Sequence, residues 1–523
     1  MKSVWATGAL FSVVGVGLAS GCGHSGETAT AQATPDAGTL LDPAVCGDCH
    51  ADHFSQWSGS MHAYASQDPV FLAMNKRMQR ENPSLGTFCV KCHAPMAVLA
   101  GKTTDGLNLS ELGPEYLGVT CYFCHNIDSV DTAQPFNAGV TLANDSVMRG
   151  EVTNPVAISF HEAKYSPLHD ELRPESAGLC GACHDIDSPA GGHIERTFAE
   201  WQGSAFGDPD AGEGVTTCGA SGCHMKQDLD TVIAVVPALG ALPKRTFHEH
   251  DFPAVDQAQK AQTPFPNEPQ EQAAVEAKLT NGMQGALCVT QVGGIRVILD
   301  TVNLGHDFPS GAAQDRRLWA EVIAYDQGGN VLYQSGVVPP GMSPVDVTND
   351  PDMWLLRDCM FDSQGSQVDM FWQGATTDGN ELPPITAFLP SQAAFLSHKV
   401  RFFPKSGAPI TNDGGAPVMP AMVTFRLRLQ PIGIDVLNDL ASTGDLDAGL
   451  IAALPPPIDI PLGAGVPSLL QWTPAAAATA AADGGPMPYT DPNENLPATC
   501  VGSLPLPVDQ NPAPPHTNPK CSP

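Results

Sequence analysis

The chain has 523 residues, enough for two or three domains. Its 25 Lys and Arg stand against 56 Asp and Glu, a net charge of −31. That balance excludes nucleic acid and anionic lipid as electrostatic partners and suits a cationic protein instead. Gly (51) and Pro (48) are abundant, which predicts long loops and few long helices.

The first 22 residues read as a secretion signal. Lys2 supplies the charged start, Val13–Leu18 lies in the apolar stretch, and Ala19-Ser20-Gly21 leads into Cys22. A Cys at that point predicts a bacterial lipoprotein, held to a membrane by a lipid on Cys22, although Ala rather than Leu stands three residues before it. The expected address is the bacterial cell envelope, facing the periplasm or the cell surface. Residues 23–41 read as a flexible tether.

Five copies of one device follow: Cys46–His50 (CGDCH), Cys89–His93 (CVKCH), Cys121–His125 (CYFCH), Cys180–His184 (CGACH) and the longer Cys218–His224 (CGASGCH). C-x-x-C-H is the attachment pattern of c-type haem. Two thiols at a fixed short spacing bond the two vinyl groups of one porphyrin, and the next His falls beneath the iron. Zinc also uses paired C-x-x-C, but it does not require a His after every second Cys, and here all five pairs have one. The fifth loop is small enough to bulge and still present both sulfurs. The expected cofactors are five haem c, attached at Cys46, Cys49, Cys89, Cys92, Cys121, Cys124, Cys180, Cys183, Cys218 and Cys223.

The proximal ligands are then His50, His93, His125, His184 and His224. Nine further His (53, 62, 161, 169, 193, 248, 250, 306 and 398) lie outside tether and tail, so bis-His ligation is affordable. Local context favours His62, His169, His250 and His306, with His161 and His193 next, as distal ligands; any lone His is more often a satisfied polar residue. Helices are expected over 51–66 and from Asp68-Pro69 to Asn82, the latter with Val70, Phe71, Met74 and Met78 on one face.

These residues carry a resemblance. The order CxxCH-x-W-x-x-S-x-H-A, CVKCHAPM, GVTCYFCH, YSPLHDELR before LCGACHD, RTFAEWQGS and CxxxxCHM is similar to the multihaem cytochromes c related to the tetrahaem electron acceptor of ammonia oxidisers. It covers about residues 42–260. The resemblance implies electron transfer through stacked haems, with His62 and His169 as distal ligands. The fifth motif and the C-terminal half depart from the tetrahaem pattern.

From about residue 285 the pattern changes. Apolar or alternating runs at 289–299, 318–324, 331–333, 353–356, 394–403 and 422–429 predict an antiparallel β-sandwich over 285–435. His306, on a loop leading into one strand, is expected to cap a haem and dock this region onto the first. Asp315, Arg316 and Arg317 are candidates for haem propionates. Residues 436–523 read as a Pro/Ala-rich tail, a strap with one helix over Leu437–Leu450. Cys288, Cys359, Cys500 and Cys521 remain, and chain order favours Cys288–Cys359 and Cys500–Cys521 among three possible pairings. The predicted class is thus α+β and multidomain: a mostly helix-and-loop pentahaem domain, an all-β sandwich-like domain and a tail.

The ligand supply favours an electron carrier serving redox partner proteins, with no nucleic acid involved. The alternative is a multihaem oxidoreductase acting on nitrite, hydroxylamine or a sulfur compound at one open iron. C-x-x-C-K, which marks such an iron in pentahaem nitrite reductases, does not occur.

Overall fold

The computed structural model describes residues 38–157, 160–211, 214–236, 239–256, 258, 268–386, 399–412, 414–486, 488–491 and 495–503. The proposed signal, Cys22, most of the tether, Cys521 and His24, His398 and His516 fall outside these residues. The class is α+β: short helices and two-stranded pieces come first, then a β-rich region.

Helices in the first region are short because each haem motif forces a turn and Pro or Gly soon ends it. The strongest is Pro69–Glu81. Asp68 caps it by accepting from the backbone N–H groups of Val70 (2.6 Å) and Phe71 (3.2 Å), and Pro69 occupies the first turn. The single helix expected over 51–66 is two, Ala51–Gly59 and Met61–Tyr64. Ser60 breaks it in extended conformation and caps the second piece. That break redirects the chain immediately before His62.

Two antiparallel sheets make up the β-rich region. One has the spatial order Lys399–Phe403, Ile295–Thr301, Met283–Thr290, Leu496–Gly502, Tyr489–Asp491. The other is centred on two long strands, Arg317–Tyr325 and Met422–Gln430, paired along their full length. Leu287, Val289, Val297 and Leu299 of the first sheet share one core with Leu318, Val322, Phe425 and Leu427 of the second. The inward alternation of the 422–430 strand is the pattern expected of a sheet with one face on a core.

The tail is not a strap. Ile458–Asp459 and Leu469–Trp472 pair with the 422–430 strand, and Leu496–Gly502 lies between two strands of the other sheet. These strands are too short for alternation to register, and Pro497 argues against a central one. Pro497 escapes the penalty because its register partner is Thr490, while pairing with the 283–290 strand begins only at Ala498. The helix expected over Leu437–Leu450 is also two, Ile434–Ser442 and Ala448–Ala452, parted at Gly444 with φ of +73°.

The disulfide pairing expected from chain order is overturned. Cys288 bonds Cys500 across 212 residues, and Cys359 is disulfide-bonded as well. Cys288 and Cys500 are direct register partners on neighbouring strands, a proximity that only the tertiary fold creates.

The two regions interlock. Val70, Met74 and Met78 share a core with Met370, Trp372, Val436, Leu437 and Leu440. Around it Arg77 pairs with Glu81 and Asp439, Arg80 with Asp445, and Trp372 Nε1 donates to Glu81 (3.0 Å). The exposed pairs contribute little, so apolar burial dominates this contact.

The covalent link ties the last strand to the first strand of the same sheet. A Cys288→Ala/Cys500→Ala variant is expected to lose about 2–4 kcal/mol from the β-rich region. Calorimetry should show a lower midpoint for that region's transition, and an unchanged midpoint would contradict the assignment.

Candidate haem-binding centre

All five motifs open into one continuous cavity of about 1820 Å³, walled mostly by apolar side chains. A single small ligand takes roughly 300–1,000 Å³, so this space is built for more than one. The ten motif cysteines are free thiols, none spent in a disulfide. The backbone closes the same short ring in each motif. His50 donates to the Cys46 carbonyl (2.8 Å), His93 to Cys89 (3.3 Å) and His184 to Cys180 (3.0 Å). In the fifth motif His224 N–H still reaches the Cys218 carbonyl (3.1 Å), with the two extra residues bulged outward.

A buried His serves as a metal ligand when one ring nitrogen is tied down and the other left free. Seven rings tie Nδ1 to a backbone carbonyl: His50 to Ile233 (2.8 Å), His93 to Ala65 (3.0 Å), His125 to Arg149 (2.6 Å), His224 to Pro253 (2.9 Å), His161 to Glu162 (3.0 Å), His250 to His248 (2.7 Å) and His306 to Asp307 (2.9 Å). His184 differs. Its Nδ1 bonds the Glu195 carboxylate at 3.2 Å. Burial holds His62 at about 3 and His224 at about 4, with nearby imidazoles adding to the effect. Both rings are therefore neutral, the form a metal requires.

Two imidazoles bonded through one iron have ring centres about 6.2 Å apart, from two bonds of about 2 Å and about 1.1 Å inside each ring. Four pairs stand at this separation. His50 and His161 are 6.3 Å apart, His125 and His250 6.2 Å, His62 and His184 6.2 Å, and His224 and His306 6.3 Å. In three of them the rings lie within 15–31° of parallel, while His62 and His184 are tilted by 57°. The residues fit c-type haem: paired thiols, a fixed imidazole beside each pair, and room between facing rings.

His93 is the exception. Phe71 stacks flat on its ring at 4.1 Å and 6°. Among the described residues no second imidazole stands opposite it at ligating distance.

Two expected ligands are placed differently. His169 lines the cavity 5.6 Å from His125; its Nε2 donates to the Cys124 carbonyl (2.9 Å) and its buried Nδ1 has no partner among the described residues. His193 lies outside the cavity, with a side chain 62% exposed and bonded to Asp187. A short antiparallel pair with 186–187 turns it to solvent. Arg316 and Arg317 are spent on carboxylates, Arg316 on Asp256 (2.7 and 2.8 Å) and Arg317 on Asp435.

The β-rich region supplies His306 on a tightly held loop. Phe308 exchanges both backbone bonds with Leu382 (2.8 Å each), and the Glu200 carboxylate accepts from Asp307 N–H (3.2 Å) and the Ser310 hydroxyl (2.6 Å). Glu200 sits on the helix Thr197–Gln202, just after the fourth motif, so that helix and the loop position each other. Burial, then Asp307, pushes the Glu200 carboxyl up to about 8. Sequence reading missed Glu195, Glu200 and the accepting carbonyls, because none of them carries a spacing signal, and placed Phe71 only on the apolar face of its helix.

Residues 45–126 match a family model described as cytochrome c554 and c-prime. The crystal structure of a penta-haem cytochrome c552 from Thermochromatium tepidum superposes with a TM-score of 0.53 at 18% identity, covering 83% of this chain and 99% of that one. The fold is that of a multihaem c-type cytochrome. No curated protein matches the chain in sequence. The structural likeness extends well past the haem motifs, so the β-rich half of the chain is part of the shared architecture.

Removing a true sixth ligand leaves an open, high-spin iron. His306→Ala is expected to add one high-spin haem to the oxidised spectrum, and His193→Ala to leave the spectrum unchanged. Absorption near the high-spin charge-transfer band reads both variants, and the reverse pattern would overturn the pairing.

Proposed function

We propose that this protein carries electrons through five covalently bound haems c outside the cytoplasm. The observation that carries this reading is the set of four imidazole pairs at 6.2–6.3 Å. Six-coordinate irons exchange electrons with little rearrangement, and the protein contributes spacing, ligands and burial. His50 and His161 hold the first haem, His125 and His250 the third, His184 and His62 the fourth, and His224 and His306 the fifth.

Contacts between motifs support an order for the path. Cys46 and Cys121 lie within each other's electrostatic reach, as do Cys92 with Cys183 and Cys180 with Cys218. Cys124 lies close enough to Cys180 to feel its charge. The first haem therefore neighbours the third and the third the fourth, while the second and fifth both neighbour the fourth. The path branches at the fourth haem, whose proximal ligand alone is backed by a carboxylate, Glu195. An anionic partner makes the imidazole a stronger donor and favours the oxidised iron.

The envelope location, the lipid on Cys22 and soluble redox partners complete the reading. The signal-like N-terminus and the need to attach haem outside the bacterial cytoplasm support them. No helix among the described residues is long and apolar enough to cross a membrane.

A second reading has its own observation. Among the described residues His93 faces no second imidazole, which would leave its iron room for an outside ligand. That favours a reaction with a small nitrogen or sulfur compound at the second haem, fed through the fourth.

Pyridine haemochrome should give five haems per chain. The reduced protein should bind carbon monoxide at one haem in five. A count of four would remove the fifth motif, and carbon monoxide binding at no haem would remove the second reading.

A further inference from the structure

Six of the fifteen large apolar side chains exposed among the described residues gather around the first motif: Val45, Val156, Phe160, Val232, Val235 and Leu239. Backbone contacts fix them there. Val45 lies in the helix Pro43–Gly47 that contains Cys46. Val235 N–H donates to the Cys49 carbonyl (2.8 Å), and His50 Nδ1 donates to that of Ile233 (2.8 Å). Phe160 precedes His161, whose ring faces His50. Arg245 donates to the Asn154 carbonyl (3.0 Å), which holds the Val156 stretch against the same segment. Val232, Val235 and Leu239 are 41%, 64% and 47% exposed and lie outside the cavity lining, so these three point to solvent. Val45, Val156 and Phe160 also line the cavity, which makes the patch continuous with the seat of the first haem.

Charge around the patch is one-sided. Asp48, Asp52 and Glu162 are exposed and form no ion pair among the described residues. Lys244 is spent on Asp230, and Lys226 on Glu249. Among the described residues Arg245 has no carboxylate partner. An apolar centre with an acidic rim attracts a partner of opposite design and lets it leave quickly.

We propose that this face is the docking port for a small redox protein whose own apolar redox edge is ringed by lysines. The inference rests on the electron-carrier reading above. One electron crosses between the partner's centre and the first haem; one centre is oxidised, the other reduced, and no bond changes.

Full-length protein, reduced with dithionite, is mixed in a stopped flow with oxidised lysine-rich mitochondrial cytochrome c as the probe. Its oxidation rate should fall about tenfold between about 20 and about 300 mM salt. Asp48→Lys/Asp52→Lys should slow the low-salt reaction about tenfold. Lys at the first of these positions is compatible with haem attachment, since Lys91 holds the same place in the second motif. Val235→Asp should slow the reaction at both salt concentrations. The distant control Asp346→Lys/Asp483→Lys should leave the rate unmoved. Equal slowing by the control would mean that net charge alone steers the probe, and would overturn the port. A wild-type dimer dissociated by Val235→Asp, with the probe rate unchanged, would assign the face to a second copy and also overturn it. Wild-type haems that dithionite fails to reduce would instead sink the carrier reading itself.

Discussion

Everything in this molecule depends on holding imidazoles in facing pairs. Such a pair costs burial of two polar rings, and a lone buried imidazole with an idle nitrogen would be unfavourable. The chain offsets that cost on the outer side of nearly every ring, where Nδ1 meets a backbone carbonyl. Each carbonyl comes from a different segment: Ile233 for His50, Arg149 for His125, Pro253 for His224. The loops that make up so much of the chain are therefore structural. They carry the carbonyls that aim the ligands, and their irregular backbone is what leaves those carbonyls free to accept.

The same constraint explains why the two halves are inseparable. The His306 ring stands 6.3 Å from that of His224, and its loop is braced by Glu200 and by the Leu382 bridge. A second contact lies under the second motif, where the helix Pro69–Glu81 packs on Trp372 and Leu437 and sets Phe71 against His93. The β-rich half thus borders the centres at both branch ends of the path, the second and the fifth. The exposed apolar face lies at the other end, beside the first.

How much of this was legible in the sequence follows from the range of each interaction. The thiols and proximal histidines sit within five to seven residues of one another, so their chemistry is written in the spacing. The Asp68-Pro69 helix start is local too. The position of His306 beside a motif His was readable from its segment. The other ring pairings are set by tertiary structure: nothing near His161 or His250 points to His50 or His125. His169 looked favourable by motif, yet its Nε2 bonds the carbonyl of Cys124. The tail misled because its strands are two to seven residues long, and Pro497 sits beyond the stretch where a donor is needed. The Cys288–Cys500 bond was hidden for the same reason, since the last strand had to be found before its neighbour could be.

The central proposal is that paired imidazoles hold four irons, while no described imidazole stands opposite His93 to close the remaining iron. Electron paramagnetic resonance of the fully oxidised protein tests it most directly, with spins integrated against the haem count. The account predicts four low-spin haems, one of them distinct because His62 and His184 are tilted by 57°, and one high-spin haem lost on His93→Ala. Five low-spin signals, or two or more high-spin ones, would contradict it.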